Sequence, residues 1–285
     1  VPHLVLCVNK MDLVDYSEDR YNEIVEEFTD FATRLDIHDL RFVPVSALKG
    51  DNIVEESDNT PWYNGPSVLH LLENIYVASD RNMIDVRFPV QYVIRPHTME
   101  HQDYRGYAGQ VVGGVLKPGD SVMVLPSGFE SKIAGIDTYD GPVAEAAPPM
   151  SVTIRLEDDL DISRGDMICR PRNRPEAGQD IDAMVCWLTD SASLRPGAKY
   201  AIKHTTRWAR AMVADLQYRL DINSLHRDED AESIELNEIG RVRLRTTQPL
   251  FYDEYRRNRE TGSFILVEEG TNATVAAGMI LGPSQ

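Results

Sequence analysis

The sequence predicts a multidomain chain, an α/β segment followed by two antiparallel β-barrels. Three observations carry that prediction. Its 285 residues exceed the roughly 100 to 200 that one folded unit usually holds. Up to about residue 80, short apolar runs alternate with stripes of three- and four-residue spacing, the pattern of strands alternating with helices. Beyond it the texture changes to period two, cut by Gly- and Pro-bearing turns. With 42% hydrophobic and 26% charged residues the chain can build real cores, which excludes disorder of the whole.

In order, Leu4-Val5-Leu6-Cys7-Val8 reads as a strand buried on both faces, ending at the polar tetrad Asn9-Lys10-Met11-Asp12. Tyr21, Ile24, Val25, Phe28, Phe31, Ala32 and Leu35 form one helical stripe, with Asp15 and Glu18 as its expected capping box. A second strand, Arg41 to Val45, runs into Ser46-Ala47-Leu48-Lys49-Gly50-Asp51-Asn52. Pro66 opens a second helix with Val68, Leu69, Leu72, Ile75 and Tyr76 on one face.

Val86, Phe88, Val90, Tyr92 and Ile94 then alternate as one face of a half-buried strand. Turns at Lys117-Pro118-Gly119-Asp120, Pro126-Ser127-Gly128 and Asp140-Gly141-Pro142 separate runs such as Ser121 to Leu125 and Val152 to Leu156. The Pro- and charge-rich stretch Arg170 to Gly178 marks a junction, after which alternation resumes at Ala183 to Leu188, Tyr200 to His204, Ile234 to Arg245 and Gly262 to Val267. The expected division is 1–82 for the α/β part, 83–176 for the first barrel and 177–285 for the second.

The 46 acidic and 29 basic side chains leave a net charge of −17, a field that repels polyanions, so no nucleic acid is expected. Cys7, Cys169 and Cys186 form no C-x-x-C pair, which fits a reducing cytoplasm better than a disulfide framework. No apolar run nears the roughly 18 to 20 residues that span a bilayer, and Val1-Pro2-His3 shows no basic leader, so no membrane partner is expected.

Asn9-Lys10-Met11-Asp12 has the groups that recognise guanine. The Asp12 carboxylate can accept from both the ring N1–H and the exocyclic amino group, a donor pair that adenine lacks. Asn9 can donate to the base or tie neighbouring loops, and the Lys10 stem can lie along the base plane. Ser46-Ala47-Leu48 ends the next strand, so both loops should share one sheet edge, with the Ala47 N–H toward the guanine O6 and Leu48 over the base. The phosphate-binding G-x-x-x-x-G-K-[ST] is absent, since the sequence holds no Gly-Lys dipeptide. Asp103-Tyr104-Arg105-Gly106 spells D-x-x-G, but it follows the base loops and reads as strand.

Together with Thr60-Pro61-Trp62-Tyr63-Asn64-Gly65-Pro66, Leu69, Leu71, Leu72 and Glu73, these loops resemble the translation-factor class of GTPases. Five further strings are similar to the large-subunit family of bacterial sulfate adenylyltransferase. They are Asp103 to Gly109, Val124 to Gly128, Leu236 to Gly240, Asn258 to Ile265 and Thr271 to Ile280. The resemblance implies the C-terminal part of a P-loop GTPase α/β domain before the barrels. It also implies GTP and Mg²⁺ as cofactors and a small catalytic subunit as partner. That subunit joins ATP and sulfate into adenylyl sulfate and pyrophosphate while the large subunit hydrolyses GTP. Carried over by position, Asn9, Lys10 and Asp12 recognise guanine, with Ser46, Ala47 and Leu48 as the second base loop. The phosphate loop, the switch regions and the Mg²⁺ site are expected in a preceding portion, so this chain alone is expected to hold no catalytic residue and not to hydrolyse GTP. Some relatives carry an adenylyl-sulfate kinase domain at the C-terminus, and no second P-loop is present here. The alternative is an elongation-factor-like GTPase that carries aminoacyl-tRNA on the same fold.

Other features have two readings each. His97 and His101 have zinc-binding spacing, but Pro96 points to a loop. Lys199, Lys203, His204, Arg207, Trp208 and Arg210 form either an anion site or a solvated barrel face. Tyr252, Tyr255, Arg256, Arg257 and Arg259 suggest a contact surface or an internal interface, and acidic Arg227 to Glu238 a solvated loop.

Overall fold

The computed structural model describes residues 3–35, 37, 39–75, 81–96 and 104–284. Two compact units divide the chain, Val1–Asp80 and Arg81–Gln285. No described helix is long and apolar enough to cross a membrane.

In the first unit, strand β1 (His3–Val8) pairs in parallel with β2 (Asp39–Pro44), and helix α1 (Glu18–Ala32) makes the crossover. The register sets Val8 beside Pro44, so the loops after both strands leave from one edge. Val8, Met11 and Tyr21 pack with Ile24, Val25, Phe42 and Trp62, the Tyr21 and Trp62 rings 5.0 Å apart. The cap of α1 differs from expectation: Ser17, in extended backbone, accepts from the Arg20 N–H, whereas Asp15 sits in the left-handed region two residues earlier. The helix ends at Ala32, which leaves Leu35 beyond it. Helix α2 (Val68–Asn74) is capped by Ser67, so Pro66 precedes the cap. Its buried side is Leu71 with Val68, against Val43 and Val45, while Leu72 is exposed because so short a core covers only part of the expected stripe. Tyr76 lies outside the described residues.

The second unit holds two closed rings. The first contains β3 (Arg87–Ile94), β4 (Gly106–Gln110), β5 (Ser121–Leu125), β6 (Glu130–Thr138), β8 (Ser151–Leu156) and β9 (Met167–Cys169), with β7 (Gly141–Pro142) attached to β6. The order β5-β9-β3-β4-β8-β6 closes through β5–β6, which leaves the ring no free edge. Val86, Phe88, Val90, Tyr107, Leu116, Ile133, Ile136 and Ile154 are among the side chains filling it. The alternation read for Val86 to Ile94 breaks at Gln91, where the register shifts, so Tyr92 turns outward and Val93 packs against the core.

The second ring contains β10 (Glu176–Trp187), β11 (Lys199–His204), β12 (Arg207–Leu220), β14 (Ile239–Tyr252), β15 (Ser263–Val267) and β16 (Thr274–Pro283). Short β13 (Arg227–Asp228) joins β12, and β11–β12 pairing closes the order β11-β15-β16-β10-β14-β12. Trp187 anchors the core and donates its indole N–H to the Ala192 carbonyl at 2.6 Å. Gly278 faces Phe264 across β15–β16, and a Cβ there would collide with the ring.

Polar groups buried between the rings join them. Arg87, wholly removed from solvent, makes a two-pronged pair with Asp253 at 2.8 Å and 2.8 Å. Its Nη1 donates to the Val86 and Asn173 carbonyls, and Thr261 Oγ1 donates to Asp253 at 2.8 Å. Asp85 takes Arg257 at 2.7 and 2.9 Å together with Asn82 and Asn173, and the Arg257 hydrogen bonds hold its carboxyl well below the usual range. Arg207 donates to the Gly165 carbonyl and stacks 5.1 Å from Phe251, which shares an apolar cluster with Met123, Leu125, Met167 and Cys169. Burial pushes the Cys169 thiol up to about 11.

Two outcomes follow from this seam. Arg87→Met leaves Asp253 buried without its counter-charge and should lower the unfolding free energy by about 3–5 kcal/mol in urea titration. His204 is fully buried and donates Nε2–H to the Thr261 carbonyl at 2.7 Å, and burial lowers its pKa from 6.5 to about 4. The unfolded chain therefore binds a proton that the folded chain refuses, and stability falls as the pH drops below 6.5 until about 4. His204→Gln should flatten the slope of unfolding free energy against pH in that window, by about 3 kcal/mol across it.

Candidate functional site

Parallel pairing places both candidate loops side by side. Val45 continues the pairing, its N–H donating to the Val8 carbonyl at 2.8 Å, and the Met11 N–H returns to the Val45 carbonyl at 3.2 Å. Met11 is buried and fastens the first loop to the core, which leaves its neighbours Lys10 and Asp12 facing outward or half-exposed. Lys10 takes a left-handed conformation, φ 65°, at the point where the chain leaves the strand.

The loops are then tied by side chains. Asn9 Oδ1 accepts from the Lys10 N–H at 2.7 Å and from the Ala47 N–H at 3.0 Å. Of the two roles open to Asn9, the loops use the tie. The same bond means that the Ala47 N–H, expected to face a base, is held by Asn9 here. Ser46 is buried, and its Oγ donates to Asp12 Oδ1 at 2.8 Å while accepting from the Lys49 N–H at 3.3 Å. Asp12 Oδ2 takes no hydrogen bond from the described residues beside it. Leu48 stands 87% exposed at the rim, an apolar side chain in a polar loop with nothing over it. Asn9, Lys10, Asp12, Ser46, Ala47 and Leu48 thus form one contiguous edge. It combines a carboxylate oxygen, an amide and two apolar or aliphatic side chains, groups able to meet a planar, donor-bearing ligand.

Sequence reasoning quoted Asp51 and Trp62 only within motif strings and passed over Tyr16 and Ser57, yet these four brace the loops from behind. Their spacing has no periodic signal, because the loop path alone brings them together.

The other candidates disperse. His97, His101 and Asp103 lie outside the described residues, and Gly106 opens β4. Among the described residues no cluster of His, Cys, Asp and Glu could hold a metal. The basic cluster at 199–210 shares no face: His204 is buried, Arg207 serves the seam, and Arg210 pairs with Glu269 at 2.6 Å. Lys203 lies 5.9 Å from the Trp208 ring. Of the 252–259 group, Tyr252 is core and Arg257 joins the rings.

Residues 180–281 match the family described as GTP-eEF1A C-terminal domain-like. The crystal structure of sup35 complexed with GMPPNP superimposes with a TM-score of 0.65 at 23% identity, covering 100% of this chain and 70% of that one. The chain thus shares the fold of sup35, and its last hundred or so residues resemble the C-terminal domain of eEF1A. The chain is 59% identical over 281 residues to the bifunctional enzyme CysN/CysC of Mycobacterium tuberculosis, covering 99% of the chain and 46% of that relative. It is 50% identical over 283 residues to the CysN/CysC enzyme of Rhodopirellula baltica, at 99% and 43% coverage. Sulfate adenylyltransferase subunit 1 of Bacteroides fragilis is 45% identical over 281 residues, at 99% and 58%. The chain spans about half the length of these relatives. Over its full length it is homologous to the CysN/CysC and sulfate adenylyltransferase subunit 1 proteins, in agreement with the resemblance carried by its motifs.

Asn9→Ala removes the acceptor shared by the two loops. Unfolding free energy of the first unit should fall by about 1 kcal/mol, read by chemical denaturation, and an unchanged midpoint would show that the tie carries no weight.

Proposed function

We propose that this chain is the base-recognition and barrel portion of the GTPase subunit of a sulfate adenylyltransferase, which couples GTP hydrolysis to formation of adenylyl sulfate and pyrophosphate. The observation that carries the reading is identity of 42–45%, sustained over nearly the whole chain, to proteins named sulfate adenylyltransferase subunit 1, beside 50–59% to bifunctional CysN/CysC enzymes. In this reading the partner is a small catalytic subunit, and the compartment is the cytoplasm.

The base loops suit guanine. Asp12, steadied through Oδ1 by Ser46, would accept the ring N1–H and the exocyclic amino group, chiefly through Oδ2. Lys10 and Leu48 would cover the two faces of the ring, and the Ala47 N–H would reach O6 by exchanging its bond to Asn9. When bound, GTP supplies the free energy of the coupled reaction, and none of the residues described above is assigned to its phosphates or to Mg²⁺. Coupling requires contacts that differ between two states of the subunit. The paired barrels suit this work, because the Arg87–Asp253 and Asp85–Arg257 pairs fix one docking of the two.

The test is sulfate-dependent release of pyrophosphate from ATP by the full-length protein with its small subunit, with and without GTP. GTP should raise the rate, and Asp12→Ala should abolish the stimulation while leaving the GTP-independent rate. Equal rates with and without GTP in the wild type would refute the proposal, and salt-sensitive tRNA binding would favour the elongation-factor alternative.

A further inference from the structure

Asp12 sits in a turn whose backbone is costly to hold. After the single 3₁₀ turn Met11–Val14, Asp15 and Tyr16 take φ of 49° and 54°, two consecutive side-chain-bearing residues in the left-handed region. The Tyr16 N–H closes the turn on the Met11 carbonyl at 2.9 Å. Such a conformation persists only where its surroundings over-determine it.

Here the surroundings are few and specific. The Tyr16 hydroxyl donates to Asp51 Oδ2 at 2.6 Å, and the Tyr16 carbonyl accepts the Trp62 indole N–H at 3.0 Å. Asp51 is itself fixed from three sides. Ser57 Oγ and Asn59 Nδ2 donate to its other oxygen at 2.7 and 3.0 Å, and its carbonyl accepts the Ser46 N–H at 3.3 Å. Asn52, next in sequence and buried, locks the same loop by donating to the Pro44 carbonyl and accepting from the Ser57 N–H. Asp12 is therefore gripped twice, through Ser46 Oγ on one side and through its own turn and Tyr16 on the other. Both grips end on Asp51.

We propose that Asp51 is a positioning residue for base recognition, its carboxylate fixing Tyr16 and thereby the turn that presents Asp12 to guanine. The inference rests on the guanine reading of the loops. Asp51 touches no base itself and contributes no apolar packing, so its effect is on the angle and distance at which Asp12 meets the two donors of the ring. The Asp51 hydrogen bond raises Tyr16 to about 12, and the Tyr16 hydroxyl in turn lowers Asp51, so at neutral pH the pair stays a phenol donating to a carboxylate.

The test compares GDP with IDP, whose base lacks the exocyclic amino group, by calorimetry on the full-length protein. Tyr16→Phe removes one oxygen and keeps the ring, and Asp51→Asn keeps the shape and removes the charge. Both should cut the preference for GDP over IDP by roughly ten-fold, the scale of one hydrogen bond to a charged group. In the same protein without nucleotide, amide exchange at residues 11–16 should quicken by about ten-fold in Tyr16→Phe while β1 and β2 stay unchanged. A merely structural role would weaken GDP and IDP by the same factor, and that result, or unchanged exchange, overturns the proposal. If the wild type and Asp12→Ala discriminate equally little between GDP and IDP, the guanine reading itself fails and takes the positioning role with it.

Discussion

A guanidinium with no access to water, gripped by a carboxylate on the neighbouring barrel, is the constraint on which the larger unit depends. Arg87 enters from the first ring and Asp253 follows the long strand β14 of the second, and the Arg87 Nη1 donates to the Val86 and Asn173 carbonyls. A pair of this kind contributes little net stability over a well-packed apolar contact, but it is intolerant of displacement, since a small slip strands a buried charge. It therefore specifies one docking of two barrels that could otherwise slide on the apolar patch around Phe251. Asp85 with Arg257 repeats the arrangement at a more exposed position, where water relieves part of the cost of error.

The loops after β1 and β2 are held together differently. Their strands are short and their core is small, so the loops hold shape by hydrogen bonds that cross from one to the other: Asn9 to Ala47, Ser46 to Asp12, Tyr16 to Asp51. Met11, Ser46 and Asn52 are sunk into the unit, while Asn9, Lys10, Ala47 and Leu48 stay at the surface. Such an edge can open and reform bonds on binding, as the shared Ala47 N–H would require, without disturbing β1 or β2.

Periodic signals were legible and path-dependent ones were not. The run Leu4 to Val8 and the stripe from Tyr21 to Ala32 announced β1 and α1, but β1 is not buried on both faces, since Cys7 is exposed and Val8 alone is fully buried. Tyr92 was misjudged since one extra residue at Gln91 inverts every later side chain, and nothing in the local alternation records it. Strand β12 was hidden by its composition, as Arg207, Trp208 and Arg210 read as a charged surface until their partners at Gly165, Lys203 and Glu269 are known. Pro66 and Asp15 were reasonable caps by residue type, but caps are decided by backbone angles, and those belong to Ser67 and Ser17.

By itself, then, the sequence determined the alternation of strand and helix before residue 80, the change to antiparallel strands after it, and the residue types of the recognition edge. Tertiary structure decided what those residues do to one another. It paired Val8 with Pro44 so that loops about 35 residues apart meet, it set Asp51 behind Asp12, and it brought Arg87 to Asp253 across 166 residues. Local chemistry is written in neighbouring letters, whereas a contact between distant residues depends on the closure of whole sheets, which no short window of sequence contains.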